Sequence, residues 1–374
     1  MFTSSIHPSP IIRHALTGAV ISHISHLGAV LTLYALVRRI IPSYEAVKQR
    51  IAFAAACLHV VSPASLFLSS PYGESTFAFA AFLGIVCYIR AQGHKNAPIE
   101  QQSLLATATW TVLSGSAFAI SALIRSNGLL HGTIFLFDAF TSLRAFLVTR
   151  KITHLFHLVS TVSSGTLIAF AFALPQAIAY TEFCTPSNTN TRPWCTRTIP
   201  SIYSWVQAHY WNVGFLAYWT PGNIPLFLLA APMLVVLAGT AILVYFEPSQ
   251  VLEHINHSVP SQTMGKRDAD SALFTHITAQ LALPQLILAI MALTSFHVQI
   301  INRISSGCAL WYLVLAIAVN DVRSNDRTSR RSGGPAVGAW SMLFKGRRTE
   351  VLVRLMVGYA VVQGGLYASF LPPA

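Results

Sequence analysis

The chain has 374 residues, 53% hydrophobic and only 10% charged, with a mean hydropathy of +0.56. Soluble domains average about 25% charged residues, so this composition excludes a water-soluble globular protein and points to an all-α, polytopic integral membrane protein. The formal net charge of +12 does not signal a nucleic-acid partner, because the Lys and Arg residues sit in short loops between apolar runs and no basic helix or aromatic sheet motif accompanies them.

In chain order, apolar runs close to the ~20 residues that cross a bilayer fall at 15–37, 51–70, 74–90, 104–123, 128–147, 155–179, 224–246, 276–296, 304–320 and 350–369. They predict about ten transmembrane helices in a single polytopic domain spanning 1–374. Several runs contain Gly, Ser, Ala and Thr, which let helices pack closely in lipid. Every second loop is basic: Arg38, Arg39, Lys48 and Arg50; Arg90 and Lys95; Arg144, Arg150 and Lys151; Lys266 and Arg267. The last of this set, 321–349, carries Arg323, Arg327, Arg330, Arg331, Lys345, Arg347 and Arg348. The positive-inside rule places these loops in the cytosol, and the alternate loops 71–73, 124–127, 181–222 and 297–303 in the lumen with both termini. Residues 1–13 have none of the features of a signal peptide, so either the first run inserts in an unusual way or a further helix lies upstream of it, and the second is expected.

Four unusual polar clusters share the lumenal face: Ser-Pro-Tyr-Gly-Glu (70–74), Arg-Ser-Asn-Gly (125–128), the long loop 181–222, and His-Val-Gln-Ile-Ile-Asn-Arg (297–303). Polar groups at the membrane are costly and tend to be functional, so a single site built from four loops is expected. The loop 181–222 holds Trp194, Trp205, Trp211 and Trp219 beside Tyr203, Tyr210 and Tyr218. Such density suits a membrane interface that stacks on a sugar or a lipid head group. Cys184 and Cys195 in this loop form a disulfide or stand as two free thiols; an oxidising lumen favours the bond. Cys57, Cys87 and Cys308 read as small apolar packing residues. No His stands at zinc-like spacing from the cysteines, so no metal site is expected. Asn256-His257-Ser258 has the form of a glycosylation sequon, but it falls in a cytosolic loop and is expected to be unmodified.

Acidic residues are few, 12 in all. Glu74, after Pro71-Tyr72-Gly73, either binds an acceptor hydroxyl, pairs with Arg125, or is a helix N-terminal carboxylate favoured by the macrodipole. Asp138 lies within a run and reads as a satisfied packing residue; Glu182 reads as solvated. Arg125, flanked by Ser126 and Asn127, either contacts a lipid-linked phosphate or snorkels to the interface. Gln299 and Arg303 raise the same possibility, and His297 is either an acid or base or a hydrogen-bonding structural residue. In the long loop, Gln207, His209 and Asn212 can bond sugar hydroxyls while Trp211 or Trp219 stacks a ring; the alternative is an amphipathic interfacial helix. No Gly-rich phosphate loop, Ser elbow or HExxH motif occurs, so no cofactor is expected and an activated donor would be membrane-borne.

The stretches SPASLFLSSPYGESTFAF (62–79), IRSNGLL (124–130), FC…RPWC…YSWVQAHYWNVGFLAYWTPGNIPLFLLAAP (183–232), FHVQIINRISS (296–306) and ASFLPPA (368–374) resemble, in order and across most of the chain, the GPI mannosyltransferase 2 family. The resemblance implies a GT-C-like glycosyltransferase of the endoplasmic reticulum membrane, active on its lumenal face. It implies dolichyl-phosphate mannose as donor, a GPI precursor glycolipid as acceptor, an α-1,6 linkage made with inversion, membrane lipids as surroundings and a small membrane partner subunit. On this reading the substrate-binding residues are Tyr72, Glu74, Arg125, Ser126, Asn127, Trp194, Gln207, Tyr210, Trp211, Asn212, Trp219, His297, Gln299 and Arg303.

The family carries its catalytic acid in a Trp-Asp pair of the first lumenal loop. No Trp-Asp occurs in these 374 residues, and 14–40 looks like the family's second or third helix. The family's N-terminal helix and catalytic loop are therefore expected to lie outside this chain, and Glu74 is the carboxylate left as a catalytic candidate. The alternative is a catalytically incomplete paralogue that binds lipid-linked glycan as a scaffold. A transporter is disfavoured, because few polar residues lie mid-span and no paired half-repeat is visible.

Overall fold

The computed structural model describes residues 9–95, 103–184, 192–256, 264–328, 339–344 and 347–369. Among them every regular element is helical. Residues 257–258 of the sequon and 329–338 and 345–346 of the basic loop 321–349 lie outside the described residues, as do 185–191 of the aromatic loop.

Helix α1 (Pro10–Ile40) starts where Ser9 accepts a hydrogen bond from the Ile12 N–H at 3.4 Å with Pro10 in the first turn, and ends on Arg38 and Arg39, the arrangement that suits the helix dipole. α2 (Glu45–Val60) runs back alongside it and stops before Ser62-Pro63, since the residue ahead of a proline is pushed out of helical geometry. A 3-10 turn (Ser65–Leu68) leads to α3 (Glu74–Lys95). Then follow α4 (Leu104–Ile124), a 3-10 turn (Ser126–His131), α5 (Gly132–Thr149), α6 (Ile152–Phe183), the short α7 (Ile202–Trp211), α8 (Ile224–Phe246) and α9 (Pro248–Asn256). α10 (Met264–Thr294), α11 (Ile301–Ile304), α12 (Ala309–Thr328), α13 (Ala339–Phe344) and α14 (Arg348–Ala368) complete the order.

Small residues set how closely the helices approach. A Cβ on Gly115 of α4 would lie 2.5 Å from the Ser164 Cβ of α6, and one on Gly84 of α3 would lie 2.6 Å from the Phe118 ring of α4. The hydroxyls in these seams bond backbone carbonyls, Ser114 to Gly84 at 2.7 Å and Ser164 to Thr111 at 3.0 Å. Without water, close contact and satisfied polar groups hold membrane helices together. Asp138 is buried and satisfied: the Tyr88 hydroxyl donates to its carboxylate at 2.9 Å and the Gln92 amide at 2.8 Å, tying α5 to α3 as a packing residue.

The span count differs from the ten read in the sequence. Seven helices are long and apolar enough to cross a membrane, or eight if the bent pair Val298–Gly307 and Ala309–Asp321 counts as one span. α2 is only 16 residues long. α14 opens with Arg348, Glu350 and Arg354, which leave a described apolar run of only 355–366. The run at 304–320 is not straight: the chain turns by 81° where it passes Cys308.

Candidate functional site

Glu74 is the first residue of α3 and is fully buried. Its Oε1 receives Arg125 Nη1 at 2.7 Å and Arg303 from two nitrogens, Nη2 at 2.6 Å and Nε at 3.0 Å. Oε2 is buried with no hydrogen-bond partner. Arg125 is the extended residue that ends α4, where its N–H still bonds the Ser121 carbonyl at 2.9 Å. Arg303 comes from α11, and its guanidinium lies over Phe67 at 3.8 Å and Tyr72 at 5.1 Å from the ring centroids, a geometry that stabilises a cation. Two cations against one anion leave one positive charge at the pocket wall. Planar guanidiniums match phosphate oxygens in pairs, so this wall is suited to a phosphate.

The wall opens on a cavity of about 480 Å³. All four of the polar clusters read in the sequence contribute to it. Tyr72 and Glu74 come from the first, Arg125, Ser126 and Asn127 from the second, Gln207 and Trp211 from the long loop, and His297, Gln299 and Arg303 from the last. Tyr203, Val213, Phe296, Ile300 and Ile304 line it as well and were not among the expected residues. Tyr203 was within reach of sequence reasoning. With Gln207 and Trp211 it stands at positions i, i+4 and i+8 of α7, one face of a helix.

α7 is fastened at both ends. Ser201 caps its start, and Gln176 Oε1 of α6 accepts from the Ser201 hydroxyl at 3.0 Å and the Tyr203 N–H at 3.1 Å. Asn212 ends it in the left-handed conformation with φ 49°, and its side-chain amide donates to the Ala217 carbonyl at 3.3 Å. Asn accepts that backbone more readily than most residues; here it closes a helix rather than lining the cavity. The chain beyond is stitched to the end of α10. Gly214 N–H bonds Ser295 O at 3.2 Å, and the Trp219 indole donates to Leu293 O at 2.8 Å.

Three further expected residues stand off the cavity. Trp194 is buried inside the loop closed by the Cys184–Cys195 disulfide. Tyr210 projects from α7 with 68% of its surface exposed, packing against Trp205 and His209. Trp219 packs on Phe227, with ring centroids 4.7 Å apart, and lines an apolar groove with Ile224 and Leu228. His297 does line the cavity, and its Nε2 bonds the Trp211 carbonyl while its ring stacks on Tyr218 at 4.8 Å. That contact fixes the end of α7 against the turn that starts at Val298. Among the described residues no group of three His, Cys, Asp or Glu side chains is placed to hold a metal ion.

A family model described as Mannosyltransferase (PIG-V) matches residues 3–374. The chain is similar to GPI mannosyltransferase 2 of Aspergillus oryzae, with 40% identity over 366 residues, covering 96% of this chain and 74% of that protein. It is 39% identical over 360 residues to GPI mannosyltransferase 2 of Gibberella zeae, covering 96% and 75%. Identity to that of Candida albicans is 26% over 367 residues, covering 96% and 74%. No solved structure matches.

Proposed function

Because the chain belongs to the PIG-V family of mannosyltransferases, we propose that it adds the second mannose to a GPI-anchor precursor. In this reading dolichyl-phosphate mannose is the donor, the bond made is α-1,6 with inversion, and the reaction takes place at the lumenal face of the endoplasmic reticulum membrane. The observation that carries the reading is the pair of guanidiniums held on Glu74 at the wall of the cavity.

The donor phosphodiester bears one negative charge, and cleavage of its bond to the anomeric carbon leaves a phosphate monoester with greater charge. Cations already held in place stabilise the charge as it develops and need no rearrangement at the moment of reaction. Arg125 and Arg303 meet that requirement. Glu74 holds both at the cavity wall, with its Oε1 committed to each. This is a positioning duty, which argues against Glu74 as the group that takes the proton of the acceptor hydroxyl. Trp211 and Tyr203 offer ring faces to a sugar, and Gln207, Asn127 and Gln299 offer hydrogen bonds to its hydroxyls. We assign no residue of this chain as the base.

The test is expression of the gene's full open reading frame in cells that lack the second GPI mannosyltransferase. Disappearance of the single-mannose precursor, with return of GPI-anchored proteins to the surface, is expected. Continued accumulation of that precursor at normal protein level overturns the reading.

A further inference from the structure

Arg303 sits on a segment that lacks the usual means of holding its place. Residues 298–307 are a 3-10 turn, a single turn of α-helix and another 3-10 turn, and α12 leaves them at 81°. Such a break exposes unpaired donors at the start of α12 and unpaired carbonyls at the end of α11, inside a bundle where water is scarce. Each needs a partner from elsewhere.

Two buried side chains bridge the break. Gln285 of α10, only 2% exposed, accepts the Trp311 N–H of α12 at 3.2 Å through Oε1. Its Nε2 donates to the Leu237 carbonyl and the Thr240 hydroxyl of α8, both at 2.9 Å. Trp311, fully buried, returns the connection through its side chain: the indole N–H donates to the Ser305 carbonyl at 3.0 Å. Ser305 is two residues from Arg303, whose guanidinium grips Glu74. An unbroken set of hydrogen bonds thus runs from α8 through Gln285 and Trp311 to the turn that presents Arg303.

We propose that Gln285 and Trp311 are positioning residues for sugar transfer, setting the angle at which the 298–307 turn delivers Arg303 to the donor phosphate. The inference rests on the reading of Arg303 as a phosphate contact. Neither side chain lines the 480 Å³ cavity, so both would act on substrate through the turn that carries Arg303. A Gln285→Leu change keeps the bulk but removes all three bonds, and the turn loses its reference to α8.

The experiment is a double-mutant cycle on the full-length protein in detergent, with mannose transfer from dolichyl-phosphate mannose as readout and folded protein quantified by size-exclusion chromatography. Gln285→Leu is expected to raise the KM for the donor on the order of ten-fold. In an Arg303→Lys background, where the paired contact is already lost, the same change is expected to add less than about two-fold, because coupled residues are non-additive. Equal effects in both backgrounds overturn the inference, as does a lowered yield of folded protein with unchanged KM. Should Gln285→Leu fail to fold, Trp311→Phe carries the same cycle, since it removes the indole donor to Ser305 and keeps the backbone N–H that bonds Gln285. Absence of any transfer by the wild-type protein overturns the functional reading and this inference together; transfer with additive effects overturns the inference alone.

Discussion

The hydroxyls of Ser126 and Tyr203 lie 2.7 Å apart, although 77 residues separate them in the chain. The bond joins the turn after α4, which carries Arg125, to the face of α7 that carries Gln207 and Trp211. It therefore couples the cationic wall of the cavity to its aromatic wall. Tyr203→Phe removes the bond and keeps the ring. A net hydrogen bond is worth about 0.5–1.5 kcal/mol, so transfer activity is expected to fall roughly two- to ten-fold with the protein still folded; steady-state kinetics on purified protein checks this.

Arg125→Ala is expected to lower activity on the order of 100-fold, the usual loss when a preorganised charge-stabilising group is removed from a reaction centre. Glu74 remains paired with Arg303 in that variant, so the folded yield should stay close to wild type. Measuring both quantities on one preparation separates the two effects.

Glu74→Gln has the opposite signature. It leaves two largely buried guanidiniums facing one another without an anion, and breaking a buried ion pair costs about 3–5 kcal/mol. The protein should melt at lower temperature, and donor lipid should recover part of the loss by supplying a phosphate. A thermal-shift series with and without dolichyl phosphate reports both.

Trp211→Ala distinguishes a sugar platform from a membrane belt. Trp211 lines the cavity yet leaves 55% of its surface exposed, so either duty is sterically open to it. Loss of activity at normal protein level supports the platform; unchanged activity leaves α7 as an interfacial helix. Asp138→Asn is the control, because its carboxylate serves Tyr88 and Gln92 within the bundle. It should cost stability and leave the activity of the folded fraction intact.

Cys195→Ser opens the disulfide to Cys184, which closes a sequence separation of 11 residues around Trp194. Cross-links of small loops contribute about 2–4 kcal/mol. Thermal melting should shift down, and reductant should shift the wild type but not the variant.

Much of this protein was legible in its sequence, because membrane character depends on local runs of apolar residues. α8 spans Ile224–Phe246, the same residues as the apolar run. The alternation of basic loops sorted four polar clusters to one side, and the structure brings all four to one cavity. Composition and loop charge are properties of single segments, so no tertiary information was needed for either inference. The pairing of Glu74 was only partly legible: Arg125 was an expected partner, whereas Arg303, 229 residues away, depends on how α3 and α11 meet. The bend at Cys308 left no mark on the apolar run either. Gln285 and Trp311 hydrogen-bond across it, and those partners are assembled only when α8, α10 and α12 pack. Hydrophobicity along the chain thus determined the presence and approximate extent of most of the membrane helices. Which side chains share a hydrogen bond, and so where the charge of the site is held, was decided by packing between residues far apart in sequence.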